Sequence, residues 1–268
     1  MHFLSYIAIA FCLCLVAFVA AIFGIGGGGL YTPIQLFFDI GIHEAASTSL
    51  FLMIVLSIGA TIIYQRARKV DWQLAIIFVI FTISGGFLGG YLSDFISSDV
   101  LTSILVLVMI LCGATMLIQP ERKHTDKLIS RAFYVWNRAF DSRLYSVNLI
   151  IALPVCFAAG LLSGMIGIGG GILLVPMMAV FFNIPLDIAI ATSGFMVGVT
   201  AIGGLSGHIF AAHVNWQRCL IFAPGILLGS MFGARFMLRV GKRRLKMAFG
   251  LLMFIMALGV ILKSMKGS

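Results

Sequence analysis

Two glycine runs are the residues of this chain best suited to bind a ligand through the backbone. The runs are Gly26–Gly29 and Gly169–Gly171, and a proline follows each of them, Pro33 and Pro176. Consecutive glycines interrupt a helix, and without a Cβ they let a ligand approach the backbone closely. A helix that restarts after the interruption points free N–H groups and a partial positive charge from its N-terminal end. This chemistry suits a small anion.

Two Thr-Ser pairs, Thr48-Ser49 and Thr192-Ser193, are the candidate side-chain donors that accompany the runs. Helical hydroxyls also bond to the carbonyl four residues earlier, and that structural interpretation stays open. The nine acidic residues lie in or beside predicted loops, whereas cation carriers usually keep a carboxylate at membrane depth. The candidate ligand is therefore an anion.

Other interpretations of the glycine runs fit less well. A Walker A loop ends in Gly-Lys-Ser/Thr, and neither run contains a lysine. A dinucleotide fingerprint needs a preceding strand, whereas the surroundings here are a hydrophobic helix. Close helix packing is the interpretation that we prefer for two other pairs, Gly85/Gly89 and Gly229/Gly233. The candidate substrate-binding residues are Gly26, Gly27, Gly28, Gly29, Pro33, Thr48, Ser49, Gly169, Gly170, Gly171, Pro176, Thr192 and Ser193.

The elements that must position these residues are hydrophobic helices. Hydrophobic residues make up 61% of the 268 residues and charged residues only 10%, whereas a soluble domain is about 25% charged. Long segments without any charged residue alternate with short polar loops, and a helix needs about 20 apolar residues to cross a bilayer. This predicts an all-α integral membrane protein. The net charge of +9 lies in the loops, as the positive-inside rule expects, and does not indicate nucleic acid binding.

The chain consists of two copies of one unit. Aligning Pro33 with Pro176 superposes the two glycine runs, and after one residue of slippage the two Thr-Ser pairs also superpose. Further along, Val70-Asp71-Trp72 matches Val214-Asn215-Trp216. So many matches at a nearly constant offset do not arise by chance. Internal repeats of this kind are typical of secondary transporters.

Loop charge indicates that the two copies face opposite sides of the membrane. In the first copy the basic residues Arg66, Arg68 and Lys69 follow the Thr-Ser helix, and the equivalent loop of the second copy is nearly neutral. The next loop is acidic in the first copy and strongly basic in the second. Since basic loops face the cytoplasm, the repeats are inverted, which requires an odd number of crossings in each.

A helix break at each glycine run adds one membrane crossing to each copy, which makes the number of crossings in each copy odd. The restarted helices are then Leu30–Phe38 and Ile172–Phe182, each with its proline in about the first turn, where a missing N–H costs little. This gives ten crossings with both termini outside and residues 119–143 in the cytoplasm. An eight-crossing arrangement with a kinked first helix in each copy stays open. The predicted units are a first transmembrane repeat over 1–118, a basic linker over 119–144 and a second transmembrane repeat over 145–268.

Both copies carry the same three motifs in the same order. These are G-x-G-G-G-x-L-x-x-P, then A/S-T-S, then a loop that closes in V-D/N-W, and they run from Gly24 to Trp216. This combination resembles the sulfite exporter TauE/SafE family of membrane permeases. The resemblance implies transport of sulfite, thiosulfate and related sulfur-containing anions, with the candidate residues lining the substrate site. Ile172 stands where the first copy has Gly29, so the two half-sites need not contribute equally.

These features predict a secondary transporter for small sulfur-containing anions, including organosulfonates, that works by alternating access around a site at the bilayer midplane. An anion channel of the same architecture is the alternative. A membrane enzyme or thiol relay is disfavoured because the five cysteines form no paired motif. We therefore predict neither enzyme activity nor a cofactor or metal site. The expected partners are the small anion and membrane lipid, in a bacterial inner membrane, and no oligomeric state is predicted.

Overall fold

Helices make up most of the protein, and a β-hairpin lies between its two halves. The computed structural model describes residues 2–38, 40, 42–92, 103, 106–107, 110–111, 113–114, 117, 135–141, 143–166, 171–180, 182, 184–210 and 215–267. Within these residues the elements are α1 (His2–Phe23), α2 (Gly28–Phe37), α3 (Ile42–Arg66), α4 (Trp72–Leu92), β1 (Val135–Phe140), β2 (Arg143–Asn148), α5 (Leu149–Ile166), α6 (Gly171–Val180), α7 (Leu186–Phe210), α8 (Trp216–Arg239) and α9 (Lys242–Gly267).

Four helices of the described part of the chain are long and apolar enough to cross a membrane. Their apolar stretches are Ser47–Arg66 in α3, Trp72–Gly89 in α4, Leu186–Gly203 in α7 and Trp216–Arg239 in α8. Helices α1 and α5 contain shorter apolar stretches, Ala8–Phe23 and Leu149–Leu162. The structure is therefore mostly helical and has the apolar spans of an integral membrane protein.

Two helix pairs, α4 with α5 and α1 with α8, pack with their backbones in close approach. A Cβ added at Gly89 would lie 2.1 Å from the carbonyl oxygen of Leu161, and one added at Gly233 would lie 2.2 Å from that of Phe18. The other member of each pair also faces backbone atoms of the partner helix, Gly85 and Gly229. Since a side chain does not fit at these positions, the predicted packing role of both glycine pairs is confirmed.

Helix α3 contacts both α7 and α8, and each crossing places a glycine against a serine. A Cβ added at Gly198 of α7 would lie 2.2 Å from the hydroxyl oxygen of Ser57. A Cβ added at Gly59 of α3 would lie 2.1 Å from that of Ser230. The short helices α2 and α6 pack on α3 and α7, respectively, so this central pair of helices holds both of them.

The hairpin of β1 and β2 corrects the expectation of an all-α fold. It begins inside the predicted linker, and β2 crosses the predicted boundary between residues 144 and 145. The antiparallel register places Arg138 opposite Tyr145, and Tyr145 and Val147 are buried on one face of β2. Burial of every second residue is the pattern of a β-strand. The mostly polar composition of the linker made this alternation difficult to recognise in the sequence. Helix α5 consequently begins only at Leu149.

The two short helices begin earlier than the sequence pattern predicts. Helix α2 begins at Gly28 and α6 begins at Gly171, so a glycine is the first residue of each helix. Pro33 and Pro176 are therefore the sixth residues, in the second turn, and the prediction that they occupy about the first turn is wrong. Each helix has ten residues and is about 15 Å long, half of the roughly 30 Å that a bilayer core requires.

Ion pairs show which helix ends lie together. Lys69, just after α3, pairs with Asp187 at the start of α7, at 3.1 Å between Nζ and Oδ2. Near the opposite end of α3, Glu44 pairs with Arg218 in the first turn of α8, at 2.8 Å between Oε2 and Nη1. Helix α7 thus begins where α3 ends, whereas α8 begins where α3 begins. Since α4 also begins where α3 ends, α4 and α8 run in opposite directions, as do α3 and α7.

Candidate functional site

Residues 24–27 connect α1 to α2 through a backbone conformation that suits glycine. Gly24, Gly26 and Gly27 have φ angles of 65°, 79° and 76°, in the left-handed region that other residues rarely adopt. The N–H groups of Gly24 and Ile25 donate to carbonyl oxygens of the last turn of α1, at 3.3 and 3.1 Å. This arrangement ends α1 as a left-handed C-cap does.

The start of α2 has backbone donors without an acceptor in the described part of the chain. The carbonyl oxygen of Gly27 accepts from the N–H groups of Leu30 and Tyr31, both at 2.9 Å, so Gly27 is the N-cap. Among the described residues, the N–H groups of residues 26–29 have no acceptor. Gly26, Gly27 and Gly28 are buried, so bulk water does not compensate these donors. The helix end therefore presents a buried partial positive charge without a basic side chain.

The break of the first half contacts the second half directly. A Cβ added at Gly171, the first residue of α6, would lie 2.6 Å from the carbonyl carbon of Ile25. The hydroxyl of Ser193 on α7 donates to the carbonyl oxygen of Gly24 at 3.0 Å. A Cβ at Gly26 would meet the side chain of Val197, also on α7. The beginning of α6 and one face of α7 thus enclose the connection between α1 and α2.

Ser49 belongs to a polar cluster on the first half. Its Oγ accepts from Thr32 Oγ1 and from Gln35 Nε2, both at 2.9 Å. These two bonds use both lone pairs of the hydroxyl, so its hydrogen remains available to donate. Ser49 and Gln35 are buried, and Tyr31, one turn before Gln35 on α2, is buried as well. This cluster places a hydroxyl donor close to the first turns of α2.

The other predicted hydroxyls have different surroundings. Thr192 accepts from the backbone N–H of Asp71 at 3.2 Å, so it faces the start of α4, whereas the adjacent Ser193 faces the break. Thr48 is buried beside the thiol of Cys219, and its Oγ1 has no oxygen or nitrogen partner in the described part of the chain. Of the four hydroxyls, Ser193 therefore contacts the break itself, and Ser49 contacts α2 beyond it.

Of the predicted glycines and prolines, the structure brings together Gly26, Gly27, Gly28 and Gly171. Gly29 follows in the first turn of α2, and Pro33 and Pro176 lie further along their helices. Gly169 and Gly170 lie outside the described residues. Tyr31 and Gln35 were missed as candidates because the second copy has Leu174 and Met178 at their positions. The signal in the sequence was their spacing of four residues directly after the glycine run, which places both side chains on one face of α2.

Comparison with known proteins identifies the family. The family model described as "Sulfite exporter TauE/SafE" matches residues 9–260, which is nearly the whole chain. The chain belongs to the sulfite exporter TauE/SafE family. The resemblance inferred from the glycine, Thr-Ser and V-D/N-W motifs is thereby confirmed.

Relatives of this TauE/SafE protein occur in bacteria, archaea and plants. "Probable membrane transporter protein YunE" of Bacillus subtilis is 28% identical over 227 residues, which cover 81% of this chain and 82% of the relative. "Probable membrane transporter protein MJ0441" of Methanocaldococcus jannaschii is 27% identical over 267 residues, 92% of either chain. "Sulfite exporter TauE/SafE family protein 5" of Arabidopsis thaliana is 34% identical over 90 residues, 33% of this chain and 20% of the relative. No solved structure matches the chain.

Membership in the TauE/SafE family agrees with the character of the site. The family is one of membrane transporters, and the described groups around the break are backbone N–H groups and a serine hydroxyl.

Proposed function

We propose that this protein is a secondary transporter of small sulfur-containing anions, such as sulfite, thiosulfate or organosulfonates. The anion binds at the N-terminal end of α2, beside the N–H groups of residues 26–29, which have no acceptor among the described residues, and Ser49 accepts from Gln35 further along the same helix. The two halves rock about this site and expose it to either side of the membrane in turn. The sulfite named in the family description and in the plant relative supports this class of substrate.

The observation that carries the proposal is the contact between the two halves at the break. Gly171 begins α6 directly against the backbone of Ile25, so the N-terminal ends of α2 and α6 approach one another. Two helix ends with partial positive charge would repel each other in a dry protein interior, and an anion between them removes that repulsion. A backbone break inside a membrane protein is also tolerated only where it lines a cavity or is covered by protein.

Inverted repeats are supported by the paired contacts of equivalent residues. Gly89 packs on Leu161, and Gly233 packs on Phe18. When the two copies are aligned in sequence, Gly89 matches Gly233 and Phe18 matches Leu161, so the two contacts are equivalent. The opposite directions of α3 and α7 support the same relation. A site between inverted halves is equivalent from both sides of the membrane, which is the geometry of alternating access.

The orientation in the membrane follows from the basic segments. Lys69 joins Asp187 at one end of the bundle, and the hairpin joins the same end through Arg138 and Arg143. We assign this end, with linker residues 119–143, to the cytoplasm of a bacterial inner membrane, because basic loops are retained there. The protein acts by binding and conformational change, and we assign it no enzymatic reaction.

Counterflow in proteoliposomes tests the proposal. Purified protein is reconstituted into vesicles that contain a high concentration of unlabelled sulfite, and uptake of ³⁵S-sulfite from outside is followed. A carrier accumulates the label transiently above its equilibrium level, and the rate saturates. An anion channel would instead equilibrate the label without overshoot, and absence of protein-dependent uptake of sulfite, thiosulfate and organosulfonates would contradict the transport function.

A further inference from the structure

Two buried polar atoms beside the break have no partner among the described residues. They are the hydroxyl oxygen of Tyr31 and Oε1 of Gln35, and both side chains are 0% exposed. Buried polar atoms are nearly always hydrogen-bonded, because burying one without a partner is unfavourable. The two residues are one turn apart on α2 and share one of its faces. Together the two atoms indicate a site in which a bound ligand supplies the missing hydrogen-bond partners.

The Tyr31 hydroxyl lies over the N-terminal end of its own helix. A Cβ added at Gly27 would lie 2.7 Å from Cζ of Tyr31 and 2.9 Å from its hydroxyl oxygen. The ring reaches this position because helical side chains lean toward the N-terminus. The hydroxyl is therefore adjacent to Gly27, in the segment 26–29 whose N–H groups have no acceptor among the described residues. Since a phenol hydroxyl donates a hydrogen bond, an anion held by those N–H groups is a suitable acceptor for it.

The orientation of the Gln35 amide is fixed by its neighbours. Nε2 lies 3.2 Å from the carbonyl oxygen of Tyr31 and 3.3 Å from that of Ala45. Backbone carbonyls only accept hydrogen bonds, so the nitrogen must face them and the oxygen must face away. Oε1 is likewise only an acceptor. It requires a donor, which an anion without hydrogen does not supply.

We infer that Tyr31 and Gln35 select a small monoanion that carries a hydrogen-bond donor of its own. This inference rests on the proposed function and deepens it. The anionic oxygens meet the backbone N–H groups and the Tyr31 hydroxyl, and an O–H or N–H of the same substrate meets Oε1 of Gln35. Hydrogen sulfite and hydroxyalkanesulfonates belong to this class, whereas a fully deprotonated dianion leaves Oε1 facing another acceptor.

The second copy does not duplicate this selection. Leu174 and Met178 occupy the positions equivalent to Tyr31 and Gln35, and both are buried apolar side chains. The donor of the substrate is therefore recognised from the α2 side alone. This gives the bound anion one preferred orientation.

Two sulfonates of similar shape test the inference. In 1-propanesulfonate a methyl group replaces the hydroxyl of 2-hydroxyethanesulfonate, so the pair differs in the donor. Calorimetric titration of the purified full chain is expected to give a dissociation constant about ten-fold lower for the hydroxyl compound. Gln35→Met is expected to abolish this ratio and to retain binding of 1-propanesulfonate. Tyr31→Phe is expected to weaken both sulfonates by a similar factor and to keep the ratio.

Two control variants make the same chemical changes elsewhere. Gln65→Met alters an exposed glutamine at the end of α3, and Tyr64→Phe removes a buried hydroxyl that already donates to the Ala21 carbonyl oxygen. Both are expected to keep the wild-type ratio. Failure of the wild type to bind 2-hydroxyethanesulfonate more tightly than 1-propanesulfonate, or an unchanged ratio in Gln35→Met, overturns the inference. The proposed function survives that result if sulfite still binds, and falls with the inference if it does not.

Discussion

At the scale of single residues, the connection between α1 and α2 depends on glycines that no other residue can replace. Gly24, Gly26 and Gly27 combine left-handed φ angles with immediate contacts to neighbouring groups. Glycine at these positions lets the backbone turn between α1 and α2, and the N–H groups of Gly26 and Gly27 have no acceptor in the described part of the chain. Ser193 of α7 donates to the carbonyl oxygen of Gly24 and fixes the connection against α7, and the bond from Gln35 to Ser49 fixes α2 against α3.

Gly27→Ala tests this requirement. The left-handed conformation costs a side-chain-bearing residue about 1–2 kcal/mol, and the new Cβ would overlap the ring of Tyr31. We expect a lower unfolding temperature and at least about ten-fold weaker sulfite binding, measured by calorimetry well below that temperature. Gly203→Ala is the control, because a Cβ there meets nothing within 4 Å. A variant Gly27→Ala with wild-type affinity would show that the break is not the binding site.

At the scale of elements, the hairpin acts as a clamp on one end of the bundle. Asp71, before α4, is 0% exposed and accepts from Arg138 and Tyr145, a cross-strand pair of the hairpin. The N–H of Asp71 donates to Thr192 of α7, so one residue joins α4, α7 and the hairpin. Arg143 adds a contact to Asp187 at 2.6 Å. The clamp thereby ties the first half, the linker and the second half together.

Arg138→Met is expected to destabilise the protein strongly. It leaves the Asp71 carboxylate buried without its cation, and breaking a buried ion pair in this way costs about 3–5 kcal/mol. Chemical unfolding in detergent measures the change. The double variant Asp71→Asn, Arg138→Met removes the uncompensated charge and is expected to recover part of the loss. Arg66→Met, at an exposed arginine, serves as the control. Equal stability of Arg138→Met and Arg66→Met would contradict the clamp.

The clamp also predicts a loss of stability at high pH. Burial, together with the hydrogen bond and charge of Asp71, raises the pKa of Tyr145 well above its usual 10.0. Burial alone would lower the pKa of Lys69, but hydrogen bonds and charges from Asp141 and Asp187 outweigh this effect and raise it above 10.5. In both cases the unfolded chain loses its proton first as the pH rises. The stability contribution is therefore complete below about pH 10 and declines above it.

Tyr145→Phe separates this effect from that of other groups. The variant lacks the phenol, so its unfolding temperature is expected to fall less steeply than that of the wild type between about pH 9.5 and 11. At neutral pH the variant is expected to be less stable, because Asp71 loses one hydrogen bond. Parallel pH curves for the two proteins would contradict the role assigned to Tyr145.

The elements differ in how far the sequence specifies them. Glycine runs mark helix ends strongly, so the division between α1 and α2 was predictable to within a few residues, and Trp72 and Trp216 marked the starts of α4 and α8. The hairpin was not, because its alternation lies in a polar linker and its stability comes from Asp71, which is distant in sequence. Tyr31 and Gln35 were discounted because repeat symmetry favours residues that both copies share. Their importance arises from burial, which only the fold shows.

At the scale of the whole molecule, the proposed mechanism depends on two helix contacts that are related by the repeat symmetry and on one asymmetric contact, the hairpin clamp. The close pairs α4 with α5 and α1 with α8 each join one half to the other, and the crossing of α3 with α7 lies between them. Ser57 and Gly198 meet at this crossing, which the proposed rocking of the halves would change. The hairpin clamp strengthens only the Lys69 end, whereas the described contact at the other end is the Glu44–Arg218 pair. The two ends are therefore expected to open with different ease.

Labelling of introduced cysteines tests the arrangement of the ends. In a chain whose five native cysteines are replaced, Arg68→Cys lies at the hairpin end and Gln217→Cys at the Glu44 end, and both positions are exposed. A membrane-impermeant maleimide added to intact cells is expected to label Gln217→Cys at once and Arg68→Cys only after permeabilisation. Labelling of both sites from the same side would contradict the inverted arrangement, and the reversed pattern would contradict its orientation.

The most direct test of anion binding at the break follows the backbone amide resonances of its glycines by NMR. In protein labelled with ¹⁵N-glycine, the amide resonances of Gly26, Gly27, Gly28 and Gly29 are assigned by single substitutions and followed during a titration with sulfite. We expect these four resonances to shift together and to saturate with the dissociation constant measured by calorimetry, while the amide of Gly203 remains unchanged. Saturable sulfite binding that leaves the four resonances in place would show that the anion binds elsewhere and would contradict the account.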